Sequence, residues 1–176
     1  MRIIAGSRKG HRIDAPKGTA TRPTSDRVRE NVFNLVAPWV EDAVVLDLFA
    51  GSGAMGLEAL SRGAERAILV ESHADACRAI DANLEKLRLT GAQVVRNDVG
   101  RFLAIDTRTY DLIFCDPPYD EYPALEPTLA RYLPRLLADD GLVVLETSSK
   151  TVPALPLAER TTRRYGSARI TLLYRE

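Results

Sequence analysis

Apolar residues in this chain fall into two alternating rhythms. Short continuous apolar runs lie at residues 44–48, 66–71, 92–96, 110–115 and 141–146. Such runs, bounded by glycine, proline or charged residues, mark strands buried on both faces. Residues 54–62, 75–89, 99–105 and 123–137 instead carry apolar positions at helical spacing. Ala76, Ile80, Leu84 and Leu87 form one such stripe, and Gly91 follows its end. An earlier helix starts from a Ser25 or Thr24 cap and runs to about residue 37. Val28, Val32, Leu35 and Val36 are its stripe, and Pro38 is its stop.

Strand–helix alternation of this kind predicts an α/β fold: a doubly wound, mostly parallel, Rossmann-like sheet with helices on both faces. Residues 161–165 and 168–174 break the rhythm. Only Gly166 and Ser167 join them, so they predict an antiparallel hairpin that completes a seven-stranded sheet. Residues 2–5 and 11–15 predict a small N-terminal β-hairpin extension, and Pro, Gly and Thr over residues 16–24 read as a linker. The expected division is a basic hairpin over residues 1–20 and one main domain over residues 21–176.

Composition narrows the picture. A chain of 176 residues with 45% apolar content builds one ordinary core. No apolar run is long enough for a membrane span, and residues 1–10 lack the apolar stretch of a secretory signal. Cys77 and Cys115 share no Cys-x-x-Cys spacing, so reduced thiols in a cytoplasmic protein are expected. No His/Cys/carboxylate cluster suggests a metal. The zero net charge hides an asymmetry: residues 1–30 hold eight Lys/Arg against three acids, and residues 160–175 hold five Arg and no acid. Basic ends around an acidic centre suit phosphate-binding surfaces beside a site that prefers cations.

Gly51-Ser52-Gly53-Ala54-Met55-Gly56 fits G-x-G-x-x-G between a strand and a helix, and Glu71 ends the next strand. That context defines a nucleotide-cofactor site. The bare motif admits a nicotinamide dinucleotide or S-adenosylmethionine. Asp47, four residues before Gly51, would repel a pyrophosphate and suits a ligand bearing an ammonium and a sulfonium. A purely structural role for Asp47 at a helix N-terminus is the alternative. Glu71 fits the ribose hydroxyls. Asn97 and Asp98 sit at the next position along the sheet edge, where Asp98 could accept from an adenine amino group or cap the following helix.

Asp116-Pro117-Pro118-Tyr119 closes the fourth main strand. The two prolines fix the backbone and remove two N–H donors, leaving the Asp116 carboxylate and the Pro117 carbonyl as a rim of acceptors. A nucleobase amino group is a double donor that matches this rim. Held there, its lone pair can be aimed at a methyl group for in-line transfer, and the acidified proton can leave to Asp116 or water. Tyr119 can stack on the base, which must leave its own stack to enter.

Asp47-Leu48-Phe49-Ala50-Gly51-Ser52-Gly53 resembles motif I of class I methyltransferases that act on amino groups, and Asp116-Pro117-Pro118-Tyr119 resembles their motif IV. Arg2-Ile3-Ile4-Ala5-Gly6 and Arg22-Pro23-Thr24-Ser25-Asp26-Arg27-Val28-Arg29-Glu30 extend the likeness to the RsmD family, the bacterial 16S ribosomal RNA guanine-N2 methyltransferases. The resemblance covers essentially the whole chain, and the second run is its most specific part.

It implies S-adenosylmethionine as cofactor, with S-adenosylhomocysteine as product and no metal. It also implies one guanine of 16S ribosomal RNA, in an assembled or assembling small subunit, as target. By carry-over, Thr24 and Arg27 close over the methionine end, and Asp47, Phe49, Gly51 and Gly53 make the motif I contacts. Glu71 takes the ribose, and Asn97 and Asp98 take the adenine. Asp116, Pro117 and Tyr119 are the catalytic candidates, and Arg2, Arg8, Lys9, Arg12 and Arg22 the RNA-binding ones. A monomer is expected. Many guanine-N2 enzymes have Asn where this chain has Asp116, so motif IV leaves the base open and only the N-terminal likeness points to guanine. A DNA adenine-N6 methyltransferase and a non-catalytic S-adenosylmethionine-binding RNA module are the competing readings.

Overall fold

The five apolar runs form parallel strands, and all but the third, which is half-exposed, are buried on both faces. The computed structural model describes residues 1–18 and 24–176. Its strands are β1 (Val44–Leu48), β2 (Arg66–Glu71), β3 (Ala92–Arg96), β4 (Tyr110–Cys115), β5 (Leu137–Ser148), β6 (Ala158–Tyr165) and β7 (Ala168–Tyr174). They form one seven-stranded sheet in the order β3-β2-β1-β4-β5-β7-β6. The first five are mutually parallel, and β7 runs antiparallel to both β5 and β6. The expected sheet and its closing hairpin are both present. The chain winds outward from β1 to β3, then returns to β4 on the other side of β1. That reversal opens a crevice at the carboxyl ends of β1 and β4, where open α/β sheets hold ligands.

Side-chain alternation divides the core into two layers. Val45, Leu69, Phe114 and Val144 face α1 (Asp26–Val36), α2 (Ala54–Ser61) and α3 (Ala74–Leu87). Leu46, Ile68, Ile113 and Val143 face α4 (Val99–Ile105) and α5 (Tyr122–Leu136). Ser25 caps α1, its Oγ accepting from the amide of Val28 at 3.2 Å. Pro38 lies inside a short 3₁₀ turn, Ala37–Trp39, that continues from α1.

One element departs from expectation. β5 begins at Leu137 rather than at residue 141, because Leu137 pairs with Tyr110 and the ladder resumes only at Leu142 with Leu112. Asp139 and Asp140 occupy the bulge between, and their charge hides the strand's start in the apolar pattern. The N-terminal hairpin is short: one antiparallel bridge, Arg2 with Arg12, is flanked by bonds from the Ile3 amide to the His11 carbonyl, the Gly10 amide to the Ile3 carbonyl and the Ile13 amide to the Met1 carbonyl. Other backbone groups of the segment bond to α2. The Glu58 carboxylate accepts from the amides of Ile4 at 2.9 Å and Ala5 at 3.0 Å, and Ser61 Oγ donates to the Ala5 carbonyl at 2.7 Å. Ile3 and Ile13 pack on Leu57 of α2 and Leu87 of α3. Gly6 has φ +83°, and a Cβ there would lie 1.8 Å from the Ser61 carbonyl oxygen, so only glycine allows this approach.

Glu58 is the hub of this docking. It is fully buried, and so is Arg29, whose Nε lies 3.6 Å from it. Arg62 adds a second cation at 2.8 Å. Arg29 also reaches the Arg2 carbonyl and Asp26. Removing one member of a buried ion pair strands the other charge in a dry interior. Glu58→Ala is expected to cost about 3–5 kcal/mol of stability. Urea unfolding of the purified variant measures this, and a loss of well under 1 kcal/mol would contradict the assignment.

Candidate active site

The crevice is built from strand ends. β1 ends in Leu48, and the chain turns through Phe49 and the glycine loop before α2 begins. Phe49 adopts φ +60°, a strained conformation for a side chain with a Cβ, and Gly51 (φ +56°) and Gly53 (φ +81°) adopt similar angles without that penalty. Gly53 forms the N-cap of α2 and packs tightly, a Cβ there meeting Ile80 and Leu69 at 3.1–3.2 Å. At Gly51 a Cβ would meet nothing within 4 Å, so the turn faces open space.

Four carboxyl groups line the rim on consecutive strands: Glu71 on β2, Asp47 on β1, Asp116 just after β4, and Glu146 on β5. Glu71 is nearly buried; its Oε2 accepts from the Gly51 amide and its Oε1 from the His73 amide, both at 2.9 Å. It fastens the glycine turn to the end of β2. Asp47 is 3% exposed, and its Oδ2 accepts from the Gly56 amide at 2.9 Å. Burial, reinforced by Glu71, pushes the Asp47 carboxyl up to about 7. Gly56 has no room for a side chain, since a Cβ would lie 2.8 Å from Leu69 and 3.3 Å from Asp47 Oδ2.

Asp116 is half-buried beside Pro117, which is buried. Burial and then the charges of Glu146 and Asp47 hold its carboxyl well above the ordinary range, while a hydrogen bond with the Thr24 side chain works the other way. Tyr119 is 36% exposed, and its hydroxyl donates to Glu146 Oε1 at 2.7 Å. Cys115 pairs with Leu145, so Asp116 and Glu146 stand side by side one residue further on.

The structure therefore brings Thr24, Asp47, Gly51, Gly53, Glu71, Asp116 and Tyr119 to one sheet edge. Other expected site residues have different surroundings. Asp98 is exposed and caps α4, accepting from the Arg101 amide at 3.0 Å, and the half-buried Asn97 donates its amide to the Glu71 carbonyl. Arg27 is exposed on the first turn of α1. Arg8 donates to the carbonyls of Leu87 and Arg88, capping the C-terminus of α3. Arg2, Lys9 and Arg12 are exposed on the N-terminal segment, and Arg22 lies outside the described residues. Glu146 was not singled out from sequence. Its signal was an acid near the end of an apolar strand, the same signal that exposed Glu71, but nothing in the linear order placed β5 beside the Asp-Pro-Pro-Tyr turn. Among the described residues no group of His, Cys, Asp and Glu is arranged to hold a metal ion, and no helix is long and apolar enough to cross a membrane.

Strand order, glycine turn and the Asp-Pro-Pro-Tyr rim define a methyltransferase of the Rossmann-like class. The chain belongs to the family described as Conserved hypothetical protein 95, the RsmD family, whose model matches residues 1–174. It is 40% identical to Ribosomal RNA small subunit methyltransferase D of Escherichia coli K12, over 88% of this chain and 80% of that one. It is 44% identical to a Bacillus subtilis protein provisionally named as an rRNA methyltransferase, over 83% of this chain and 82% of the other. A solved Escherichia coli structure, provisionally described as a methyltransferase, superposes with a TM-score of 0.87 at 35% identity, covering 100% of this chain and 98% of that one.

The raised Asp47 carboxyl has a measurable consequence. In the fold it keeps its proton up to about pH 7, whereas the ordinary value is 3.8. Over that interval the native state binds more protons than the unfolded chain, so stability falls as pH rises. Asp47→Asn keeps an acceptor for the Gly56 amide and removes the titration. Thermal unfolding between about pH 4 and pH 8 is expected to show a shallower decline in the variant than in the parent. Parallel curves would contradict this role for Asp47.

Proposed function

We propose that this chain transfers a methyl group from S-adenosylmethionine to the exocyclic N2 of one guanine in 16S ribosomal RNA, acting on an assembled or assembling small subunit. One observation carries the chemistry: beside the open turn at Gly51, carboxyl groups stand on four consecutive strands, with Tyr119 bonded to the last of them. That rim favours a cationic ligand over a pyrophosphate. The names of the relatives carry the substrate class.

The residues present fit S-adenosylmethionine. Gly51 leaves room for its backbone-hugging portion, and Glu71 has acceptor capacity for ribose hydroxyls alongside its two amide contacts. Asp47, Thr24 and Arg27 would flank the methionine end, with Phe49 and Gly53 shaping the turn. Asn97 and Asp98 would border the adenine, Asp98 continuing to cap α4. The cofactor, when bound, supplies a methyl group on a sulfonium, open to in-line attack.

The chain's own groups do the rest. The Asp116 side chain and the Pro117 carbonyl accept from the two N–H groups of the target amine and orient its lone pair. Tyr119, tethered through its hydroxyl to Glu146, presents its ring to the base. The amine's proton is strongly acidified once the new N–C bond forms, so Asp116 or water can take it.

Residues 1–20 would serve RNA recognition through the exposed Arg2, Lys9 and Arg12, with Arg22 beyond them. This segment lies next to the glycine loop, the Met1 sulfur being 3.9 Å from Ser52 Oγ. Arg8 would contribute through the position it fixes, since its guanidinium already holds the end of α3.

Labelled methyl transfer to small subunits from a strain lacking this gene, followed by mapping of the modified nucleoside, tests the reading. N2-methylguanosine in 16S RNA is the expected product, and label only in DNA or in adenine would overturn it. Asp116→Ala is expected to lower transfer at least about a hundredfold, while calorimetry finds S-adenosylmethionine affinity within about threefold of the parent. Undiminished turnover in that variant would exclude the assigned role of Asp116.

A further inference from the structure

Motif IV alone leaves the base undecided, because a carboxylate can accept from the amine of guanine, adenine or cytosine. The neighbouring strand adds what the motif lacks. Glu146 stands one strand over from Asp116, on the same side of the sheet: Cys115 and Leu145 are register partners, and the residues that follow them share the face of Phe114 and Val144. It is half-buried. Tyr119, the residue expected to cover the base, is bonded to it at 2.7 Å. The amine rim thus continues sideways into a second carboxylate, held on a strand rather than on a loop.

Base chemistry makes that extension selective. The N2 amine of guanine is flanked on one side by the ring N1–H, so two donors point the same way. The amines of adenine and cytosine are flanked by a bare ring nitrogen, an acceptor, on the Watson–Crick edge. A carboxylate beside the amine pocket attracts the first arrangement and repels the second. Its two oxygens offer about four acceptor positions, so the Tyr119 hydroxyl is one of several donors it can take.

We infer that Glu146 is the specificity-determining residue for guanine, accepting from N1–H while Asp116 and Pro117 hold the N2 amine. This rests on the proposed guanine-N2 reaction. The raised Asp116 carboxyl agrees with two acidic groups crowded at one rim, but the inference stands on the register and on the Tyr119 contact. Glu146 also positions Tyr119, so a single loss of activity on mutation would not separate the two roles.

The discriminating substrate is 2-aminopurine, which keeps the 2-amine but has no N1–H. Small subunits are reconstituted from RNA carrying either guanine or 2-aminopurine at the mapped target, and initial rates of labelled transfer are compared. The parent enzyme is expected to favour guanine by at least about tenfold, in keeping with a lost hydrogen bond to a charged group. Glu146→Gln, which can donate to the bare N1, is expected to reduce that preference at least about fivefold, whatever its absolute rate. Equal rates on both bases with the parent enzyme would overturn the inference without any variant, which covers the case of a Glu146→Gln protein that does not fold. A variant that slows both substrates by the same factor would assign Glu146 to positioning alone and also overturn it. No transfer by the parent enzyme to the guanine-containing subunit would instead remove the guanine-N2 reading itself.

Discussion

The Asp47 carboxylate, buried against the Gly56 amide, decides where everything else in the site can be. It joins the carboxyl end of β1 to the first turn of α2 across a gap that admits no side chain at position 56. With strand and helix so close, the connecting residues must turn sharply, and they do so at the positive φ angles of Phe49, Gly51 and Gly53. The turn then opens onto the crevice where the strand order reverses. The helix N-terminus offers partial positive charge to Asp47, but burial still dominates and raises its proton affinity. A cation arriving in the crevice would relieve that strain. Fold stability and ligand preference thus act on the same carboxyl group in opposite directions.

α2 is also where the N-terminal segment is attached. Glu58, little more than one turn along the helix from the glycine loop, accepts from the backbone of residues 4 and 5 and faces Arg29 of α1. The segment carrying the exposed Arg2, Lys9 and Arg12 is therefore fixed to the same helix that frames the cofactor turn. Thr24, just before α1, reaches Asp116. Residues near the start of the chain touch both halves of the crevice, so on the proposed reading RNA contact and amine placement share one rigid support.

Most of this fold was legible because its strands are short, apolar and punctuated. β2, β3, β4 and β7 begin and end where periodicity placed them. The misses share one cause: they depend on partners distant in sequence. The first part of β5 is polar and joins the sheet only through Tyr110. The N-terminal hairpin keeps its cross-chain bonds, but its docking on Glu58, more than fifty residues away, leaves no signal in its own sequence. In the site, Asp47, Glu71 and Asp116 were visible because each closes a strand beside a recognisable turn. Asp98 was visible too, and its cap on α4 is the local bond its neighbours offer. Glu146 was invisible because its meaning comes from adjacency across two strands, which linear order does not state.

On the proposed reading a cation-preferring rim meets a polyanionic substrate, and distance separates the two. Repulsion between the rim carboxyl groups and RNA phosphates falls steeply beyond a Debye length of about 8 Å at physiological salt. A base extruded from its stack carries no formal charge, and its sugar–phosphate backbone stays several ångströms outside the pocket. Met1, at the start of the N-terminal segment, sits beside the glycine loop, and the exposed Arg2 and its bridge partner Arg12 follow it at the surface. The acids are recessed at the strand ends, with Asp47 and Glu71 nearly buried. Basic side chains thus lie at the surface and carboxyl acceptors at the floor. A neutral base with outward-pointing N–H donors is the part of a nucleic acid that such a floor can accept, and guanine, with its amine and ring N–H side by side, presents the most.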